Sequence, residues 1–246
     1  MQTYKISTLG ENFIFVNRGI RDLADPIPDI KGSFADGCHT VLIEPDMRFD
    51  YRVYGGNEDG IFLPDLARAV LIFLYIAKGL PKSEYEILYD FEKYPRITSY
   101  GKLGGNVGKC KLLFSKNREN GEKCNVEFHC VEAPRGSYAF IVCEKPDAFD
   151  MKKVISGALA ECGSAARLRG AAALAFAGEE FALGFHSFDN RKMPDTSAYA
   201  AAAFLLSELF GKSEAVISAK HIKAHCTVDC GAVSVYDLSP TLTRIT

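Results

Sequence analysis

Two aspartates stand where proton chemistry could be done. Asp65 and Asp195 each follow a proline and precede a long apolar run. A pair of carboxylates placed alike in two related segments could act as acid and base, one taking a proton and the other returning it. The same residue type also suits a helix N-cap, because its short side-chain oxygen accepts from the open backbone N–H groups of the first turn. His186, about two turns of sequence before the second helix, is a further candidate; a lone His is more often a structural residue. His221, His225, Cys226 and Cys230 form a short His/Cys cluster. A His-x-x-x-His spacing would present one face of a helix to zinc. The stretch Ala224–Val235 alternates like a strand instead, and on a strand residues four apart are separated by roughly 13 Å. No metal site is therefore expected. No Gly-x-Gly-x-x-Gly turn, P-loop or Gly-x-Ser-x-Gly elbow occurs, which removes the usual signals for nucleotide cofactors and serine hydrolases.

The elements that must position these residues repeat. Pro64-Asp65 recurs as Pro194-Asp195, and Lys82-Ser83-Glu84 as Lys212-Ser213-Glu214, both at an offset of 130. The apolar stretches Ala69–Ala77 and Ala198–Leu206 lie between these marks in register. Two marks and a helix at one offset point to an internal duplication. Asn117, Asn120 and Gly121 read as a polar turn within 116–123, which predicts lobes of 1–117 and 118–246. Within each lobe β-type runs come first: 13–16, 40–43 and 51–54, then 126–131, 138–143 and 181–185. A helix follows from Leu66 or Thr196, with further strands at 86–91 and 215–219. Both helices are apolar all round, so each must be buried on every side, as when a sheet wraps around it. An amphipathic helix is expected at 151–160, and the alanine-rich 165–178 fits helix or strand.

The 246 residues carry 48% hydrophobic residues and a net charge of −2. That suits a packed core and gives no basis for nucleic acid or an anionic membrane as partner. Nine apolar residues are too few to span a bilayer. Eight scattered cysteines without Cys-x-x-Cys fit reduced thiols and a cytoplasmic protein.

Several segments resemble the diaminopimelate epimerase family. Thr8-Leu9-Gly10-Glu11-Asn12-Phe13 is similar to that family's opening strand, and Val41-Leu42-Ile43-Glu44-Pro45 to its next. Tyr51-Arg52-Val53-Tyr54 with Asn57-Glu58-Asp59-Gly60, and then Ala67-Arg68, are similar to its run into the first central helix. The resemblance covers roughly the first 80 residues; the duplication extends it to the second half. It implies an α+β fold of two pseudo-symmetric lobes, each a mixed β-barrel-like sheet around a central buried helix. It also implies cofactor-independent, PLP-independent proton transfer by two cysteines facing one cleft, one from each lobe. Here those positions fall on Leu63 and Met193, neither of which exchanges a proton. No cysteine lies between Cys38 and Cys110 or between Cys162 and Cys226. Aspartate caps on the two helices would also repel a substrate carboxylate. The substrate-contact positions carried over are Glu11, Asn12 and Asn57, with His186 as a neighbour of the cleft. Asn57 beside Gly55-Gly56 also fits a plain turn.

The reading is a diaminopimelate epimerase-like protein that has lost the cysteine-pair activity and keeps the interlobe cleft for a small molecule or partner, without a cofactor. The alternative is an isomerase of another amino-acid-like or small acid substrate, with Asp65, Asp195 or His186 handling protons. A third reading is a structural or oligomeric role, for which the fold suggests a homodimer.

Overall fold

The computed structural model describes residues 2–17, 39–43, 49–53, 63–79, 84–86, 100–102, 109–113, 118–123, 126–133, 136–143, 168–187 and 193–245. They fall into two compact units, Met1–Gly108 with Ser239–Thr246, and Lys109–Leu238. The expected helix at 151–160 lies outside the described residues, as does Asn57.

The first unit is built on a five-stranded sheet. Its strands are β1 (Gln2–Thr8), β2 (Glu11–Asn17), β3 (His39–Ile43), β4 (Phe49–Val53) and the C-terminal β16 (Thr241–Arg244), in the order β16-β1-β2-β3-β4. All neighbours are antiparallel except β2 and β3. The helix α1 (Leu63–Lys78) packs on β1, and its residues Asp65 to Phe73 are continuously buried. Ile6, Phe13 and Phe15 meet Leu66, Ala69, Val70, Ile72 and Phe73 in one core. The rings of Phe15 and Phe73 stack at 5.1 Å. Leu242 of β16 packs against this core, so the last strand closes it by side-chain burial as well as by its backbone ladder. The short strands β5 (Glu84–Glu86) and β6 (Tyr100–Lys102) form an antiparallel pair in the same unit.

The second unit repeats this plan more completely. Its strands are β7 (Lys109–Leu113), β8 (Arg118–Lys123), β9 (Val126–Ala133), β10 (Gly136–Cys143), β11 (Leu168–Ala177), β12 (Glu180–Ser187), β13 (Glu214–Ala219), β14 (Ile222–Asp229) and β15 (Ala232–Asp237). They run β7-β15-β14-β13-β12-β11-β10-β9-β8. The second helix, α2 (Thr196–Phe210), touches β13, β14 and β15 from one end of this order and β9 and β10 from the other. A sheet that reaches one helix with both of its ends must curl around it. Thr196 to Leu206 are buried without interruption, as the absence of a polar face required. Alanine at 198 and 200 to 203 serves twice: it is the best helix former, and its small side chain lets five strands approach one helix.

Strand order runs alike in the two units. β16-β1-β2-β3-β4 corresponds to β8-β9-β10-β11-β12, with the parallel step at β2–β3 matched by β10–β11. The stretch 118–123, expected as a turn, is instead the edge strand β8 paired with β9. Backbone pairing holds it there, and polar residues suit a sheet edge. Of the alanine-rich 165–178, Leu168–Ala177 becomes β11, with residues 170 to 175 buried on both faces. Alternation is absent from such a strand, which is why its type was ambiguous. Gly170 marks a close approach: a Cβ there would stand 2.8 Å from the His186 carbonyl oxygen and 3.0 Å from the Phe185 ring. Gly170→Ala is expected to cost about 1–3 kcal/mol through strain, read as a lower urea midpoint at unchanged slope; an unchanged midpoint would contradict the contact.

Candidate functional site

Asp195 is the N-cap of α2. Its backbone is extended (φ −87°, ψ 174°), and its Oδ1 accepts from the Ala198 N–H at 2.9 Å. Its carbonyl takes the first helical bonds, from Ala198 and Tyr199. The same Oδ1 accepts a second bond, from the Tyr138 hydroxyl at 2.9 Å. Tyr138 lies on β10, 1% exposed, and Asp195 is 5% exposed. The phenol is therefore held well above its ordinary range, first by burial and then by the Asp195 charge and the bond to it. The Ser197 hydroxyl and the Arg169 charge pull in the other direction. Tyr138 stays protonated and donates; the carboxylate accepts. The helix dipole favours a negative charge at this end.

Asp65 sits differently. It is the third residue of α1 rather than its cap. Its Oδ1 accepts from Arg68 Nη2 at 2.6 Å, one turn further on the same helix. Arg68 Nε donates to the Thr8 hydroxyl of β1 at 2.9 Å. All three side chains are buried, Arg68 completely. This corrects the expectation of two equivalent caps. The helices end alike, at the left-handed glycines Gly79 and Gly211 (φ 65° and 63°). Those glycines are 132 apart, not 130, so structural register along the helices pairs Asp65 with Ser197 and leaves Asp195 opposite Leu63. The sequence marks at 130 are restored because Leu80 and Pro81 separate Gly79 from Lys82, whereas Lys212 directly follows Gly211.

The other candidates disperse. Asn12, on β2, accepts at Oδ1 from the Ser7 hydroxyl at 2.6 Å and so braces its own hairpin. Glu11 is half-buried at the start of the same strand. His186, near the end of β12, pairs in register with Ala171 and is exposed. Leu63 opens α1, and Met193 lies two residues before Asp195, partly exposed. Asp65 belongs to the first unit, and Asp195 and His186 to the second. His221 falls in the β13–β14 turn and not on a helix. His225, on β14, meets Glu214 at 2.7 Å and stacks on Tyr236. The buried Cys226 thiol points at the Tyr199 carbonyl (3.9 Å), while Cys230 is exposed in the next turn. Among the described residues, no group of three or more His, Cys, Asp or Glu could hold a metal, and no helix is long and apolar enough to cross a membrane.

Tyr138 and Arg68 carry as much of these two sites as the aspartates, and sequence reading assigned neither a role. Asp65 and Arg68 are spaced i, i+3, a pairing distance on a helix, so that signal was present. Tyr138 is 57 residues from its partner and left none.

No family model matches this chain, and no curated protein matches it by sequence. Its fold is nonetheless shared over its full length. A Clostridium difficile protein of the phenazine biosynthesis PhzC/PhzF type superposes with a TM-score of 0.65 at 12% identity, over 100% of this chain and 99% of that one. A phenazine biosynthesis protein of the PhzF family from Enterococcus faecalis gives 0.63 at 7% identity, over 100% of both. A predicted epimerase from Pseudomonas aeruginosa gives 0.52 at 13% identity, over 98% of both. These likenesses establish a fold common to PhzF-type and epimerase-like proteins: a mixed sheet curled into a half-barrel with few helices. They support the broad fold class expected from the sequence, and do not single out the diaminopimelate epimerases.

Proposed function

We propose that this chain is an epimerase-fold protein that no longer carries out cysteine-pair epimerisation and that binds a small molecule or a partner instead. The observation that supports this most is what the two aspartates do. The Asp195 oxygen that caps α2 also holds the Tyr138 hydroxyl, and Asp65 is tied to a fully buried arginine. A general acid or base must reach the proton it moves; both carboxylates are sealed from solvent at 5% and 1% exposure. Leu63 and Met193 offer no thiol in exchange. The cap on α2 also fills the helix end that would otherwise attract an anionic ligand, so the small molecule is expected to be neutral or cationic near that end.

Native mass spectrometry of gently purified protein tests the binding half. A retained small molecule, or a thermal shift of several degrees with one class of small metabolite, is expected. Ligand-free protein that responds to no metabolite and captures no partner would remove that half. The alternative is an isomerase that uses carboxylates on a different amino-acid-like or small acid substrate, supported by the company of the fold, which includes a protein named as a predicted epimerase. It requires α-proton exchange that depends on Asp65 or Asp195.

A further inference from the structure

The edge strands of the two matching five-strand orders are held in different ways. β8 is followed by its neighbour β9 after two residues of sequence, so pairing them closes a very short loop. β16 takes the matching place beside β1. It returns there only after the whole second unit has been traversed, across the boundary between Leu238 and Ser239. Its hold on β1 is slight. Four residues are in register, Thr241 to Arg244 on Ser7 to Tyr4, and the Ile245 N–H adds a bond to the Thr3 carbonyl at 2.8 Å. Thr241, Thr243, Arg244 and Ile245 are exposed. Leu242, partly buried and opposite Ile6, supplies the packing on the core.

What β16 covers is shaped for a strand. β1 keeps a seven-residue ladder with β2 on its other side, so its extended form does not rest on β16. Ile6 is fully buried at its centre, in one core with Phe13, Phe15 and α1. An uncovered edge of this kind pairs with an extended chain through main-chain hydrogen bonds, and an apolar position along it selects the side chain that enters. Opening costs least where few apolar contacts and exposed backbone bonds hold an element, as they do here. Pro240 directly precedes the strand and has no N–H to give to a ladder, so a short segment comes away by itself.

We propose that β16 is a releasable strap, and that the β1 edge beneath it takes up an extended peptide with one apolar side chain between polar ones. This goes beyond the proposed function and does not depend on it. The test is fluorescence anisotropy on the full chain with a labelled peptide of residues 239–246. The tethered strap competes at a high effective concentration, so the wild type is expected to capture the peptide weakly. Leu242→Ser in the chain should tighten capture about tenfold, because it removes the apolar anchor of the strap and leaves that of the peptide. The same substitution in the peptide should weaken capture by a like factor. Lys5→Cys with Thr243→Cys puts two thiols at one cross-strand pair, within disulfide reach; oxidation should abolish capture and reduction should restore it. A Leu242→Ser chain that captures no peptide overturns the proposal. So does capture that survives the disulfide, or that is indifferent to Leu242→Ser in the peptide. Loss of amide protection throughout β1, β2 and α1 in the Leu242→Ser chain would show that β16 cannot leave without unfolding the first unit, which also overturns it.

Discussion

Arg68→Ala is expected to destabilise the first unit by about 3–5 kcal/mol, the usual cost of removing one partner of a buried ion pair. The guanidinium is fully buried and joins α1 to itself through Asp65 and to β1 through Thr8. Its loss leaves the buried Asp65 carboxyl without the guanidinium that holds it. The double variant Asp65→Leu with Arg68→Met should recover most of the loss, because replacing both charges by apolar groups of similar volume is often neutral. Equilibrium urea unfolding measures the total. Amide exchange localises it to α1 and β1, which matters because two units need not unfold as one. A loss below about 1 kcal/mol in Arg68→Ala would mean that the pair is hydrated and not buried.

Asp195→Ala is the second large effect, about 2–4 kcal/mol. A helix loses its N-cap, at about 1 kcal/mol, and the Tyr138 hydroxyl is left buried without this acceptor, at about 1–3 kcal/mol. Asp195→Asn keeps an acceptor in place and should lose much less. The pair also predicts an alkaline limb. The folded state raises the Tyr138 pKa above the ordinary 10.0, so above that pH the unfolded chain releases a proton that the folded chain keeps. The associated stability is whole below pH 10 and falls as pH rises towards the folded value. Tyr138→Phe should flatten this limb relative to the wild type. Equal slopes in the two proteins would show that the phenol is not held as described.

The parts of the fold that were legible in the sequence are those written in local pattern. Thr196 to Leu206 has no polar residue beyond its first turn, and burial follows from that alone. The β-type runs gave β9, β10 and β12 to within a few residues. β11 was not legible because burial on both faces erases alternation, and β8 because an edge strand held by backbone pairing needs no apolar residues. The likeness of the two halves was visible in two shared short motifs, but they misaligned the helices by two residues. That shift made Asp65 and Asp195 look equivalent, when one caps its helix and the other pairs within it. Their residue types were informative and their partners were not. A hydroxyl 57 residues away, brought in by β10, decides what Asp195 can do, and no spacing rule reaches that far.

One measurement bears most directly on the central claim that both aspartates serve the fold and not proton transfer. It is α-proton exchange in deuterium oxide, followed by NMR, with a panel of amino acids and small acids that includes both diaminopimelate isomers. The account predicts no exchange above background from well-folded wild-type protein with any of them. Exchange that disappears in Asp195→Asn, at a melting temperature close to that of the wild type, would contradict it and make Asp195 an acid or base.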